Sequence, residues 1–240
     1  MQTKVTLIEL SGYRTWTELL GDDREWRIQG AQARLYDVAM TVAAKRDAMI
    51  VPLRYDYILA VTTGLWEHEV RELIDEIASV APVRLSYASA CSDSPADAVG
   101  RAFRLLRTGE GERCVGDLTV LAYVDFDDIT GLTETTGPLE AYGVVQGLIH
   151  DITEVVSPRG GIVQYLGGDN ILLLLPTAGF MELASQVASL AKVKVGVGVA
   201  TRPRQASAFA TRALDEIRED RGKGPVRVLT PPELASKLSP

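Results

Sequence analysis

Two kinds of apolar pattern alternate along this chain: short runs of strand length, and longer segments whose apolar residues recur every three or four positions. Val120 to Val124, Ile162 to Leu166 and Ile171 to Leu175 are runs of the first kind. Leu139, Tyr142, Val145, Leu148, Ile149, Ile152 and Val156 follow the second pattern and predict a long helix in the second half. Ile28, Leu35, Val38, Ala39 and Val42 predict one in the first half, with polar Gln32 between them. Ala-rich helices are expected from about Pro95 to Leu106 and from about Pro203 to Glu219. Gly167-Gly168-Asp169-Asn170 stands between two apolar runs and reads as a hairpin turn.

The pattern occurs twice. Thr3 to Leu10 parallels Thr119 to Phe126, and Tyr55 to Val61 parallels Gly168 to Leu174. Val83 to Ala90 parallels Val193 to Ala200. Each half therefore runs strand, long helix, hairpin, helix, strand, helix, which is a βαββαβ plan with an antiparallel sheet and helices on one face. The fold class is α+β, with two tandem ferredoxin-like domains, residues 1–112 and residues 113–240. Their sheets can pack face to face or edge to edge. Arg107 to Gly116, rich in glycine and charge, reads as the linker. The last ten residues, with three prolines, read as a tail.

Composition narrows the function. The hydrophobic fraction of 46% and charged fraction of 24% suit a soluble globular protein. A net charge of −7 argues against general affinity for nucleic acid or an anionic membrane. No apolar run approaches the roughly 18 residues of a spanning helix, and the first residues lack a signal-peptide pattern, so a cytoplasmic location is expected. Cys91, Cys114, His68 and His150 are scattered, which excludes a zinc pattern. Each Cys is expected to be a small buried apolar residue. Trp16, Trp26 and Trp66 are expected in a core or an interface. Any metal must be held by carboxylates.

The carboxylates that stand out are Asp125, at the end of one strand, and Asp169, at the tip of the hairpin. Neighbouring strands would bring them together as a site for a hard cation such as Mg²⁺, with the Phe126 carbonyl as a backbone ligand. Asp127 or Asp128 adds a ligand or caps the next turn. The amides from Phe126 to Gly131 form a nest for phosphate, with Gly168 and Asn170 across from it. Lys194 alternates with apolar neighbours and could face phosphate. Gly196 and Gly198 leave room for a helix or a ligand. Asp56 is the first-half counterpart of Asp169, with Glu9 or Ser11 across the sheet. Arg54 reaches a phosphate, a base edge or Asp56 itself. Arg24 and Arg34 flank or lie on the first long helix.

The two carboxylate clusters resemble the palm-type core of nucleotide cyclases. A more specific resemblance rests on Ser11 to Thr17, Gln32-Ala33-Arg34-Leu35-Tyr36, Arg54-Tyr55-Asp56, Val124 to Gly131, Leu166 to Asn170, and Gly196-Val197-Gly198. In these segments the chain resembles archaeal GTP cyclohydrolase III, also called GTP cyclohydrolase IIa. The resemblance implies two tandem palm domains, a homo-oligomer, and Mg²⁺ rather than zinc. It implies GTP as substrate, with opening of the imidazole ring and removal of pyrophosphate to give a formylamino-pyrimidine ribosyl monophosphate. Asp169 would be catalytic, with Asp56 as a general base. Three first-half positions depart from the family: Ser11 replaces an Asp, Tyr57 an Asn, and Arg24 beside Asp23 a double arginine. A nucleotidyl cyclase and a non-catalytic GTP sensor are the competing readings.

Overall fold

Thr3–Leu10 (β1), Met49–Pro52 (β2), Tyr57–Val61 (β3) and Leu85–Ser92 (β4), largely buried along their length, form one antiparallel sheet ordered β2-β3-β1-β4. The structure is a computed structural model describing residues 1–109, 113–190, 193–220, 222 and 224–238. In the second half, Thr119–Phe126 (β5), Ile162–Gly167 (β6), Asn170–Leu175 (β7), Val193–Ala200 (β8) and Val226–Leu229 (β9) are ordered β6-β7-β5-β8-β9. Among the described residues only β9 departs from the antiparallel pattern, running parallel to β8. First-half helices are Tyr13–Glu18 (α1), Arg24–Ala44 (α2), Glu67–Ala78 (α3) and Pro95–Thr108 (α4). Ile129–Thr136 (α5), Pro138–Val156 (α6), Phe180–Leu190 (α7), Pro203–Glu219 (α8) and Pro232–Leu238 (α9) follow in the second. The class is α+β, with two tandem ferredoxin-like βαββαβ units.

The strand registers align the repeats. Val5 pairs with Val61 and Ala90, and Leu121 pairs with Leu174 and Gly198. Thr3 to Leu10 therefore matches Thr119 to Phe126, and Asp56 matches Asp169, as expected from the sequence. The fourth strand does not follow the expected parallel: Leu85, rather than Val83, occupies the place of Val193. The apolar repeat alone cannot fix a shift of two, because both alignments keep the same face inward.

Helices do not lie on one face only. Leu35, Ala39 and Val42 of α2 and Val70, Leu73 and Ile77 of α3 cover one face of the first sheet. Leu148 and Ile152 of α6 and Leu183 and Val187 of α7 cover one face of the second. Helix α4 of the first half and α8 of the second lie on the other face. A third cluster joins Ala98 of α4 and Ala206 of α8 to Val5, Leu59 and Val61 of one sheet and Leu121, Leu172 and Leu174 of the other. The sheets thus face each other with α4 and α8 between them. Gly196 and Gly198 explain how close α8 comes: a Cβ at Gly198 would lie 1.8 Å from the Ala206 carbonyl oxygen, and one at Gly196 would lie 2.3 Å from that of Ala210. The space left by these glycines is filled by a helix.

Both helix starts reach into the opposite half. Arg204 donates to Asp47 and Ala44 carbonyls at 3.1 and 2.7 Å, and the Ala96 amide donates to Gly160 at 3.0 Å. The expected linker is shorter than predicted, since Arg107 and Thr108 belong to α4; residues 110–112, where the expected domain boundary falls, lie outside the described residues. The expected tail contains α9. Trp26 and Trp66 are 81% and 60% exposed, so neither is a core residue. Cys91 is buried as expected, but both cysteines form a Cys91–Cys114 disulfide with 6.1 Å between Cα atoms. Sequence spacing carried no sign of it, because the two meet only when β4 and the segment before β5 come together.

Candidate functional site

The chemistry-bearing residues of the second half gather where β5 ends. Asp125 is the seventh residue of β5, on the face covered by α8, in register with Lys194 of β8. The β5–β7 register pairs Val124 with Ile171, so Asp125 lies one residue, and Asp169 two residues, beyond that pair. Asp169 is half-buried between Gly168 and Asn170 at the β6–β7 tip. Both glycines of this turn have positive φ, 106° at Gly167 and 63° at Gly168. The Asn170 side chain closes the turn by donating to the Gly167 carbonyl at 3.3 Å.

Cationic side chains occupy Asp125 and its neighbour Asp127. Arg218, next to last in α8, donates Nη2 to Asp125 Oδ1 at 2.7 Å and Nε to Oδ2 at 3.2 Å. The Asp125 hydrogen bond, outweighing partial burial, raises the Arg218 guanidinium further above its already high value. Lys194 is ion-paired with Asp127 rather than standing free toward a phosphate. Lys194 and Asp127 line a cavity of about 240 Å³ with Val193, Ile217, Gly224 and Pro225. Asp128 caps α5: its backbone is left-handed, with φ 61°, and Oδ1 accepts from the Gly131 amide at 3.2 Å. Of the two roles weighed for this pair, Asp128 takes the cap. Gly131 spends its amide on that cap, so the nest expected from Phe126 to Gly131 has one amide already engaged. Phe126 itself packs its ring against the second-half core.

The same layout recurs in the first half with different chemistry. Glu9 occupies the Asp125 position and is held by Arg107, next to last in α4. Tyr57, in the Asn170 position, donates its hydroxyl to Glu9 at 2.8 Å, and Arg107 reaches that hydroxyl at 2.5 Å. Burial pushes the Glu9 carboxyl up, but hydrogen bonds from Arg107 and Tyr57 and the charge of Arg107 outweigh it and hold the group below its ordinary value. Where the second half pairs Asp127 with Lys194, the first pairs hydroxyls: Ser11 and Ser86 meet at 2.9 Å. Asp56 accepts from Arg54 at 2.9 Å, so of the roles open to Arg54 the hairpin ion pair is the one seen. The other oxygen of Asp56, Oδ1, is buried and has no hydrogen-bond partner among the described residues. Asp56 lines a cavity of about 220 Å³ with Glu9, Leu10, Gly12, Tyr13, Arg14 and Tyr57.

Arg24 is half-exposed and paired with Glu25 at 3.4 Å, and Arg34 is exposed on α2; neither joins either cluster. Arg107 and Arg218 escaped the sequence reading. The signal was the arginine near the end of each repeat's last helix, hidden because α8 is longer than α4 by three residues (17 against 14).

The profile of the family described as GTP cyclohydrolase III matches residues 5–231. The chain belongs to the GTP cyclohydrolase III family. It is 38% identical over 231 residues to GTP cyclohydrolase III of Aeropyrum pernix, covering 94% of this chain and 96% of that one. The Pyrobaculum aerophilum protein of the same name is 36% identical over 215 residues, covering 90% and 94%. Among solved structures, an EAL/GGDEF domain protein from M. capsulatus aligns with 53% of this chain and 94% of its own, at 18% identity and a TM-score of 0.42. A bacterial light-regulated adenylyl cyclase aligns with 100% of this chain and 88% of its own, at 10% identity and a TM-score of 0.42.

Proposed function

We propose that this protein hydrolyses GTP: it opens the imidazole ring of the guanine and removes the β- and γ-phosphates, leaving 2-amino-5-formylamino-6-(5-phosphoribosylamino)pyrimidin-4(3H)-one. The observation that carries this is the family match over nearly the whole chain, with Asp125 and Asp169 kept at the strand end and hairpin tip. The donor set is all oxygen, namely the Asp125 and Asp169 carboxylates and the Phe126 carbonyl. Among the described residues no group of three or more His, Cys, Asp or Glu side chains is placed to hold a metal. Two carboxylates that leave room for water and phosphate oxygens suit Mg²⁺, which keeps several such ligands. When bound, Mg²⁺ would neutralise charge developing on the phosphates. Lys194, on exchanging Asp127 for a phosphate oxygen, and the amides at the start of α5 other than that of Gly131 would complement the phosphate charge.

Addition of water at C8 needs a base. Asp56 is proposed for that role because its Oδ1 is buried and, among the described residues, no donor competes for its lone pairs. Two units, 1–112 and 113–240, a homo-oligomer and a cytoplasmic location complete the proposal. Exposed Trp26, Trp66 and Leu139 support the oligomer. Among the described residues no helix is long and apolar enough to cross a membrane. The disulfide is the feature that argues against the cytoplasm, where such bonds persist chiefly in hyperthermophiles.

The test is incubation of the purified protein with GTP and Mg²⁺, following ultraviolet absorbance, phosphate and pyrophosphate together. Loss of the guanine spectrum with a formylamino-pyrimidine mass is the expected result. Pyrophosphate with an intact purine would instead indicate a cyclase, and unchanged bound GTP a sensor.

A further inference from the structure

We propose that Arg218 competes with the divalent cation for Asp125 and, once displaced, binds the phosphates of the substrate. The proposal rests on the magnesium reading given above. Both oxygens of Asp125 are engaged by the one guanidinium, at 2.7 and 3.2 Å. The Asp125 side chain is only 14% exposed, so it has little freedom to turn a lone pair elsewhere. A hard cation needs one of those oxygens directly, and it would then lie beside the guanidinium on a largely buried carboxylate, where the two positive charges repel. That repulsion favours release of Arg218 when the cation arrives.

Arg218 has somewhere to go. Its side chain is 48% exposed, and its other anchor is Asp215, one turn back on the same helix at 3.2 Å. A guanidinium released beside a triphosphate finds the same two-point geometry on phosphate oxygens that it left on the carboxylate. Nor is the arginine needed to seat α8. That helix is fixed by Ala206, Ala210 and Leu214 against Gly196 and Gly198 and by buried Ala213 and Ile217. The first half repeats the arrangement, with Arg107 on Glu9 at the end of α4. One strand-end carboxylate gripped by an arginine from the crossing helix is thus built twice in the chain.

The experiment measures Mn²⁺ binding to the GTP-free protein by electron paramagnetic resonance, and GTP affinity separately, for wild type, Arg218→Gln, Asp125→Asn and the double variant. Arg218→Gln is expected to tighten Mn²⁺ and weaken GTP, each by about 5- to 10-fold, the scale of an ordinary coupling between sites. In the Asp125→Asn background, Arg218→Gln should no longer tighten Mn²⁺. A purely structural role would move both affinities the same way, or neither, and either result overturns the proposal. If wild type binds no Mn²⁺, or Asp125→Asn binds it equally well, the magnesium reading fails and this proposal goes with it. Thermal melts of all four proteins separate these outcomes from loss of fold.

Discussion

Two halves of one chain share a backbone to the level of individual turn residues and differ in what those residues can do. Gly12 and Asp128 occupy equivalent positions with φ 80° and 61°, and Tyr55 and Gly168 do so with φ 64° and 63°. The first half keeps a left-handed hairpin conformation with a bulky tyrosine where the second uses glycine, although such a side chain is strained there. The buried polar groups also divide unevenly. Thr6, Thr62 and Ser89 form a buried hydroxyl cluster, with contacts of 2.9 and 2.8 Å, where the second half packs Ala122, Leu175 and Val197. Lys4 is buried where the second half has Val120, and burial lowers its pKa while its Nζ donates to the Leu65 carbonyl at 2.9 Å. Topology is the shared property. Both halves keep an arginine-held carboxylate at the strand end. Beside it the second half places the Asp127–Lys194 ion pair, where the first places the Ser11–Ser86 hydroxyl pair and a tyrosine, and the first half also buries polar groups inside.

The sharpest way to break this contrast is to remove the hairpin carboxylates one at a time. Asp169→Asn should lower GTP turnover by about three orders of magnitude, the scale of losing an electrostatic stabiliser in an active site, with an unchanged melting temperature. Asp56→Asn should lower it by about two orders, the scale of a general base, and leave Mn²⁺ binding intact where Asp169→Asn abolishes it. Full turnover by Asp169→Asn, or loss of metal from Asp56→Asn alone, would transfer the metal site to the first half.

Next in size is the disulfide, which belongs to the first half and its exit. It closes a span of 23 residues that includes α4, the helix carrying Arg107. Reduction or Cys114→Ser should cost about 3 kcal/mol, or roughly 10 °C in melting temperature for a chain of this size. Calorimetry with and without reductant measures it. Because Arg218 and α8 lie outside the closed span, Mn²⁺ affinity at the second-half site should not follow the change in stability.

How far the sequence carried this reading depends on the kind of signal each feature leaves. Tandem βαββαβ units, the hairpin at Gly167 to Asn170 and the match of Asp56 to Asp169 were legible, because periodicity and turn glycines are local. Crossing of α4 and α8 to the inner faces was not, since an Ala-rich helix carries no mark of which face it covers; Gly196 and Gly198 offered the hint, and left helix and ligand as alternatives. The ion pairs Arg218–Asp125 and Lys194–Asp127 span 93 and 67 residues. No local pattern encodes such a pairing, so Lys194 was read as reaching for phosphate while it sits on a carboxylate. The disulfide failed in sequence for the same reason.

The smallest predicted effect separates the two strand-end carboxylates by acid. Glu9 titrates below its ordinary value of 4.5 in the folded protein, since its partners outweigh burial. Its contribution to stability is therefore fully present above the unfolded value and is lost as pH falls through the lower folded one. Arg107, its partner, is half-exposed, so screening keeps the effect modest. Urea unfolding at pH 5 and pH 3 should show wild type losing more stability than Glu9→Gln, which has no carboxylate to protonate but keeps a hydrogen-bonding group against Tyr57 and Arg107. An equal loss in both would mean that the Glu9–Arg107–Tyr57 cluster holds its geometry without depending on charge. It would then be a structural remnant of the arrangement that Asp125 and Arg218 form in the other half.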